Sequence, residues 1–418
     1  MSATTVSTAE VSRSEIDSKR IAFHNTYEPV TSLYRDLCPA LSADGHDVTV
    51  IVSRSQYRAR EVDLAVELAR SGATTQPVGP GNGRAVKGRF GKTAMMLSYA
   101  VFGTIEALRK PSDVRFFLTQ PPFFAVVGLL LRRIRGEKYI CICMDLYPDV
   151  LVANGLIAKN GLIDRCLSRL TQHTLTGADA VVSIGKDMSA RLLEIGVAPE
   201  RLHYVPNWSP TDDIRPIKPS ENTLRHELGF SDDDFVVLYS GNLGVSHYFD
   251  EILEVALAER KREKMKFVFV GGGPRLIEVE RFKQNHALDN IYIIDYQPVS
   301  RLTESLSMGD VHFISLRSGF GGLVVPSKVF GAMAAGRPIV FQGDADGELA
   351  TMLTHHGIGT QCPIGSHAKL GAELLEYMTD PERRSREGKQ SHDTYQDNYS
   401  VDVGIARYRS VLQNVLAH

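Results

Sequence analysis

Residues 318–340, SGFGGLVVPSKVFGAMAAGRPIV, hold the residues best suited to gripping a phosphate. Gly319, Gly321 and Gly322 form a loop whose amides approach an anion closely because no Cβ intervenes. Leu323, Val324 and Val325 are an apolar step before Pro326-Ser327-Lys328, and a small-residue helix follows as far as Gly336. A glycine loop, the Ser327 hydroxyl and the Lys328 ammonium at a helix start make a nest for a doubly charged phosphate. On spacing alone, an ordinary strand–loop–helix joint fits as well. A second residue capable of chemistry is Asp145, a carboxylate ending the apolar run 139–143. There it can cap a turn, or serve as a general base.

The elements that must position these groups read as two α/β series. In the first, residues 21–23, 48–52, 115–118, 139–143, 178–184 and 203–208 are predicted strands. A helix through Leu33, Leu37 and Leu41 and another over 61–70 lie between the early ones. The β–loop–α–β spacing at the start implies a parallel sheet with a right-handed crossover. A Pro-, Asp-, Ser- and Lys-rich stretch from Trp208 to about Asn222 reads as a linker, with Trp208 packing there. In the second series, strands 235–240, 267–270, 291–294 and 311–315 precede glycine loops at Gly241–Gly244, Gly271–Gly273 and Gly319–Gly322. These loops converge on one sheet edge, where such folds bind ligands. The organisation expected is a disordered tail over 1–19, a Rossmann-like half over 20–210, and a second over 211–393. A helical segment over 394–418 then packs back across both.

Composition narrows the function. The 418 residues exceed one ordinary core, and 43% hydrophobic with 23% charged residues is a globular balance. A net charge of −2 gives no pull toward nucleic acid. Residues 84–138 nevertheless carry eleven basic against three acidic side chains, with apolar residues among them. That window suits attachment to an anionic bilayer, or else a solvated helix face. Residues 1–19 lack the apolar core of a signal peptide, and no run is long enough to span a bilayer. Five cysteines, two of them one residue apart in a strand, read as reduced thiols of a cytoplasmic protein.

Taken in order, MDLYPDV (144–150), VSIGKDM (182–188), VPNW (205–208), SGNLG (240–244), VGGGP (270–274) and VPSKVFGAMAAGRPIV (325–340) resemble the family-4 glycosyltransferases. The nearest branch is the one that builds bacterial exopolysaccharide and lipopolysaccharide. The resemblance implies an α/β GT-B fold, two Rossmann-like domains with parallel sheets facing a central cleft. It further implies transfer of a sugar from a UDP-sugar, of glucose or N-acetylhexosamine type. Configuration is retained, no metal or other cofactor is bound, and the acceptor is a saccharide or lipid-linked hydroxyl. By resemblance the donor-side residues are Gly241, Asn242, Gly244, His247, Gly272, Gly273, Arg275, Gln297, Val299, Gly321, Gly322, Leu323, Val324 and Ser327. Asp145 and Lys328 are the catalytic candidates, and His24, Tyr27 and Glu28 lie on the acceptor side.

The chain departs from the family pattern twice. Asn242 and His247 stand where many relatives carry arginine and lysine, leaving Lys328 to meet the diphosphate charge, with Arg275 and Arg317 as weaker seconds. Ser318 and Gly331 stand where two glutamates are usual, so the expected ribose-binding carboxylate is missing. We read the Pro-Ser-Lys segment as its replacement. A nucleotide-sugar epimerase and a non-catalytic sugar-nucleotide binder are the competing readings on the same architecture.

Overall fold

The computed structural model describes residues 18–25, 32–54, 72–81, 88–211 and 213–417. Tyr27, Glu28, the expected helix over 61–70 and most of the expected tail lie outside them. Among the described residues two parallel sheets form. The first holds β1 Arg20–Asn25, β2 Asp47–Ser53, β3 Thr74–Val78, β4 Val114–Leu118, β5 Lys138–Cys143, β6 Ala180–Ser183 and β7 Leu202–Tyr204. Its strand order is 3-2-1-4-5-6-7. The second holds β8 Phe235–Ser240, β9 Met265–Val270, β10 Ile291–Ile294, β11 Val311–Ser315, β12 Ile339–Gln342 and β13 Gly359–Cys362, in order 10-9-8-11-12-13. Both orders reverse direction once, between β1 and β4 and between β8 and β11. Crossovers diverge there and leave a crevice at the strands' carboxyl ends.

Strand composition explains the layering. Alternate residues of β4 and β5 belong to opposite cores: Phe116, Leu118, Ile140 and Ile142 to one, Phe117, Tyr139, Cys141 and Cys143 to the other. Both faces are therefore covered by helices, as a parallel sheet requires. The edge strands β3 (TTQPV) and β13 (GTQC) escape sequence reading because edges tolerate proline and polar residues. β7 covers Leu202–Tyr204 alone; the chain leaves the ladder before Trp208.

The C-terminal segment corrects an expectation. It is two helices, Pro381–Asn398 and Val401–Ala417, and the first starts well before residue 394. Asp380 accepts the Arg383 amide at 2.8 Å and Pro381 follows it, a helix start written in the sequence. Tyr395 and Tyr399 join the second half's core, while Ile405, Tyr408 and Leu412 join the first half's. Trp208 packs on Gly404, where a Cβ would stand 2.4 Å from the indole. Its Nε1 donates to Asp36 Oδ2 at 2.7 Å, so it sits in the first half's core, 4% exposed.

Candidate active site

Lys328 opens the helix Lys328–Ala334, which follows the loop after β11. Its Nζ lies 2.8 Å from His247 Nε2 and 5.1 Å from the centre of the Tyr239 ring. His247 is 7% exposed, and its Nδ1 lies 2.6 Å from the Ser315 carbonyl. A carbonyl only accepts, so Nδ1 carries the ring proton and Nε2 offers a lone pair to Lys328. Burial, then Lys328, pushes the His247 pKa down to about 3, and burial pushes Lys328 down to about 7. No carboxylate among the described residues pairs with this amine.

The glycine loops make room for it. Gly241 has φ +125°, and a Cβ there would stand 3.0 Å from Lys328 Cε. The Leu243 amide donates to the Gly272 carbonyl at 2.9 Å and the Arg275 amide to the Leu243 carbonyl at 3.1 Å. A Cβ on Gly273 would meet Asn242 Oδ1 at 2.8 Å and the Leu243 carbonyl oxygen at 2.5 Å. Gly241, Asn242, Gly244, His247, Gly272, Gly273 and Lys328 thus share one cluster at the carboxyl ends of β8 and β9. Ser327 caps the helix position and is exposed, with no side-chain cap bond.

Other expected donor residues are placed differently. The Arg275 guanidinium is held by Glu278, 2.9 Å from Nε, and donates to the His247 carbonyl; it braces the loop. The Gln297 amide turns back to the Asp295 carbonyl at 3.0 Å, and Val299 begins a 3-10 turn with its side chain 45% exposed. Beside them, the Tyr296 hydroxyl donates to the Gly272 carbonyl at 3.0 Å and its ring lies on Gly271 and Gly272. Leu323 is 3% exposed, and Leu323, Val324 and Val325 pack into the first half's core. The loop's apolar step is therefore an interface between the halves; β-strand propensity without a partner strand gave no hint of that. Gly321 stands in open space, and Gly322 (φ +69°) presses on Arg191 of the first half.

The same interface reaches Asp145. The Leu146 amide donates to the Leu323 carbonyl at 3.1 Å, and Asp145 forms an antiparallel bridge with Val324. Asp145 Oδ2 accepts from Gln120 Nε2 at 3.0 Å, and the Asp145 amide donates to Thr119 Oγ1 at 3.1 Å. Beside it opens a small apolar recess walled by Phe123, Ala125, Leu146, Tyr147 and Leu175. His24 does not share this face. It lies within β1 rather than on a loop, 1% exposed, stacked on Phe117 at 4.6 Å and 3.4 Å from Arg115 Nη1. Burial pushes its pKa well down.

A second clamp between the halves was not read from the sequence. The helices Lys186–Ile195 and Glu348–His356 meet at their N-termini. Asp187 Oδ2 accepts the Glu348 amide at 2.8 Å, while the Glu348 carboxylate accepts amides of Lys186 and Asp187 and the Tyr204 hydroxyl at 3.4 Å. Each acid thus caps the other helix. Burial raises the Glu348 pKa despite these bonds. An acid in the first turn of each helix was the available signal, but their mutual facing is tertiary. Among the described residues no group of three or more His, Cys, Asp or Glu side chains is gathered to hold a metal ion.

Comparison with known families follows this division. The glycosyl transferase 4-like domain matches residues 31–208, and the glycosyl transferases group 1 domain matches residues 220–394. The chain belongs to the family-4 glycosyltransferases. WbjE of Pseudomonas aeruginosa, named a glycosyltransferase, is 27% identical over 73% of this chain and 75% of its own length. WcaI of Escherichia coli strain K12, whose name assigns it to colanic acid biosynthesis, is 27% identical over 75% of this chain and 79% of its own. Among solved structures, sucrose-phosphate synthase of Thermosynechococcus elongatus superposes with a TM-score of 0.75 at 15% identity, covering 96% of this chain and 100% of its own. HepE of Anabaena, solved with UDP and glucose, gives 0.70 at 13% identity, covering 94% and 99%. The fold of this glycosyltransferase is GT-B.

Proposed function

We propose that this glycosyltransferase moves a sugar from a UDP-sugar, with retention of configuration and without a metal, onto a hydroxyl of a saccharide or lipid-linked acceptor in cell-surface polysaccharide assembly. One observation carries the reading. Lys328 sits where two glycine loops, Gly241–Gly244 and Gly271–Gly273, converge beside a sheet's switch point, and the loop leading to it is hydrogen-bonded to the Asp145 segment of the opposite half. Lys328 meets the charge that develops on the departing diphosphate, and loop amides share it. Asp145, held by Gln120 and Thr119, addresses the acceptor hydroxyl. The UDP bound by HepE and the polysaccharide role in WcaI's name support donor and pathway class.

The acceptor half also favours work at an anionic membrane surface on the cytoplasmic side. The helices Gly88–Arg109, Val126–Arg135 and Leu162–Thr176 cover one face of the first sheet, and outward they expose Leu97, Val101, Ile105, Leu108, Leu130, Ile134, Leu162 and Ile163. Exposed Arg109, Lys110 and Arg133 lie among them. The basic window is weaker at the surface than its count suggests, because Arg115 is buried against Glu137. No helix among the described residues is long and apolar enough to cross a membrane.

The test is sugar transfer from labelled UDP-glucose and UDP-N-acetylglucosamine to a lipid extract of acceptors. Transfer that is abolished in Lys328→Ala supports the reading; no turnover of any UDP-sugar with any acceptor overturns it. Co-sedimentation with phosphatidylglycerol vesicles, lost in a Leu97→Glu/Val101→Glu variant, tests the membrane face separately.

A further inference from the structure

The two ends of the Lys328–His247 contact have unequal freedom. His247 Nδ1 is committed to the Ser315 carbonyl at 2.6 Å, which leaves Nε2 as an acceptor and the ring neutral. The imidazole therefore adds no charge where many relatives have a lysine. It supplies a fixed lone pair, 2.8 Å away, that aims the one amine.

The groups facing Lys328 confirm how little else holds its proton. From β8 comes the Tyr239 ring, with its hydroxyl already given to the Asn242 carbonyl at 2.8 Å. From beyond β9 comes Arg275, tied to Glu278 and the His247 carbonyl. From beyond β10 comes the Tyr296 hydroxyl, on the Gly272 carbonyl. Arg275 is the cation that shares His247 with Lys328. An amine largely withdrawn from water, with one neutral acceptor and a ring face, favours its uncharged form. A diphosphate reverses that balance by supplying anionic oxygens in a site of low polarity.

We propose that donor binding to this glycosyltransferase is proton-coupled: the nucleoside diphosphate enters together with one solvent proton, which forms an N–H bond on Lys328, and His247 is the positioning residue that holds the amine to receive it. This rests on the donor site assigned above. The empty-site Lys328 pKa of about 7 puts the coupling within the working pH range. As the diphosphate leaves, the proton is free to return to solvent, so product release is favoured by rising pH.

The probe is UDP, titrated calorimetrically at pH 7.5 and above, where its terminal phosphate (pKa about 6) is already ionised. Paired buffers of different ionisation enthalpy report the protons taken up. Uptake is expected to rise toward about one proton per site by pH 9, with affinity falling about tenfold per pH unit. Lys328→Arg, charged throughout, binds without uptake and without the pH slope. His247→Gln, which can still accept from Lys328 while donating to Ser315, retains the uptake; His247→Leu moves its midpoint to lower pH. Tight UDP binding with no uptake overturns the coupling alone, and an unmoved midpoint in His247→Leu overturns the positioning role. No UDP binding at any pH overturns both the coupling and the donor site.

Discussion

Each half of the molecule holds a cation beside a buried histidine, and the two pairs are built differently. In the first half Arg115, fully buried, has Glu137 Oε2 at 2.6 Å and His24 Nε2 at 3.4 Å, and it also donates to the Ala107 carbonyl at 3.1 Å. That carbonyl lies near the C-terminus of the helix Gly88–Arg109, where a cation is favoured. In the second half Lys328 has a histidine and an aromatic ring but, among the described residues, no carboxylate. Arg115 is complete without a ligand, and the histidine beside it belongs to the core. Lys328 is complete only once an anion arrives. A buried cation with its counter-ion reads as architecture, and one without reads as a site.

Removing the counter-ion from the complete pair should have the largest effect. Glu137→Ala leaves Arg115 buried and uncompensated, and urea denaturation should show a loss of roughly 3–5 kcal/mol. Lys328→Met should behave oppositely. Its folded-state pKa of about 7 lies below the ordinary 10.5, so the unfolded chain binds the extra proton between those values. Stability of the native enzyme therefore rises as pH climbs from 7 toward 10.5, and the penalty is full below 7. Lys328→Met should accordingly melt higher than the parent at pH 7, with the gap closing as pH rises. A lower melting point at pH 7 would place Lys328 with Arg115 as architecture.

Activity should separate the pairs next. Lys328→Met should lower sugar transfer by roughly 10²–10³-fold, the scale of losing one preorganised charge-stabilising donor. Asp145→Asn should cost about 10²-fold in turnover with UDP affinity unchanged, as measured by initial rates beside calorimetry. The smallest effect belongs to the clamp between the halves. Glu348→Ala removes one helix cap and should cost roughly 0.5–2 kcal/mol in thermal unfolding. Because the cap is given across the cleft, that variant should also weaken the contact between the halves, seen as a larger radius of gyration in solution scattering.

Sequence reading singles out the glycine loops, Lys328 and Asp145 because each comes after an apolar strand, and strand ends at a switch point are where such sheets bind. It misjudged His24 by one feature of register: β1 runs to Asn25, which carries His24 inside the sheet. Arg275 looked available because its partner, Glu278, lies one helical turn along, and that pairing depends on the helix Leu276–His286 forming. Leu323 and Val324 looked like part of the donor loop because nothing local says which half an apolar step will bury against.

Short continuous apolar runs, glycines after strands and short connections determined by themselves that two parallel sheets would form with their loops on one edge, because those signals act within a few residues. What the tertiary structure alone decided is which charges find partners. Glu137 lies 22 residues from Arg115, His247 lies 81 from Lys328, and Asp187 lies 161 from Glu348. Ion pairing, tautomer and desolvation depend on distances of a few ångströms, which only the folded chain sets.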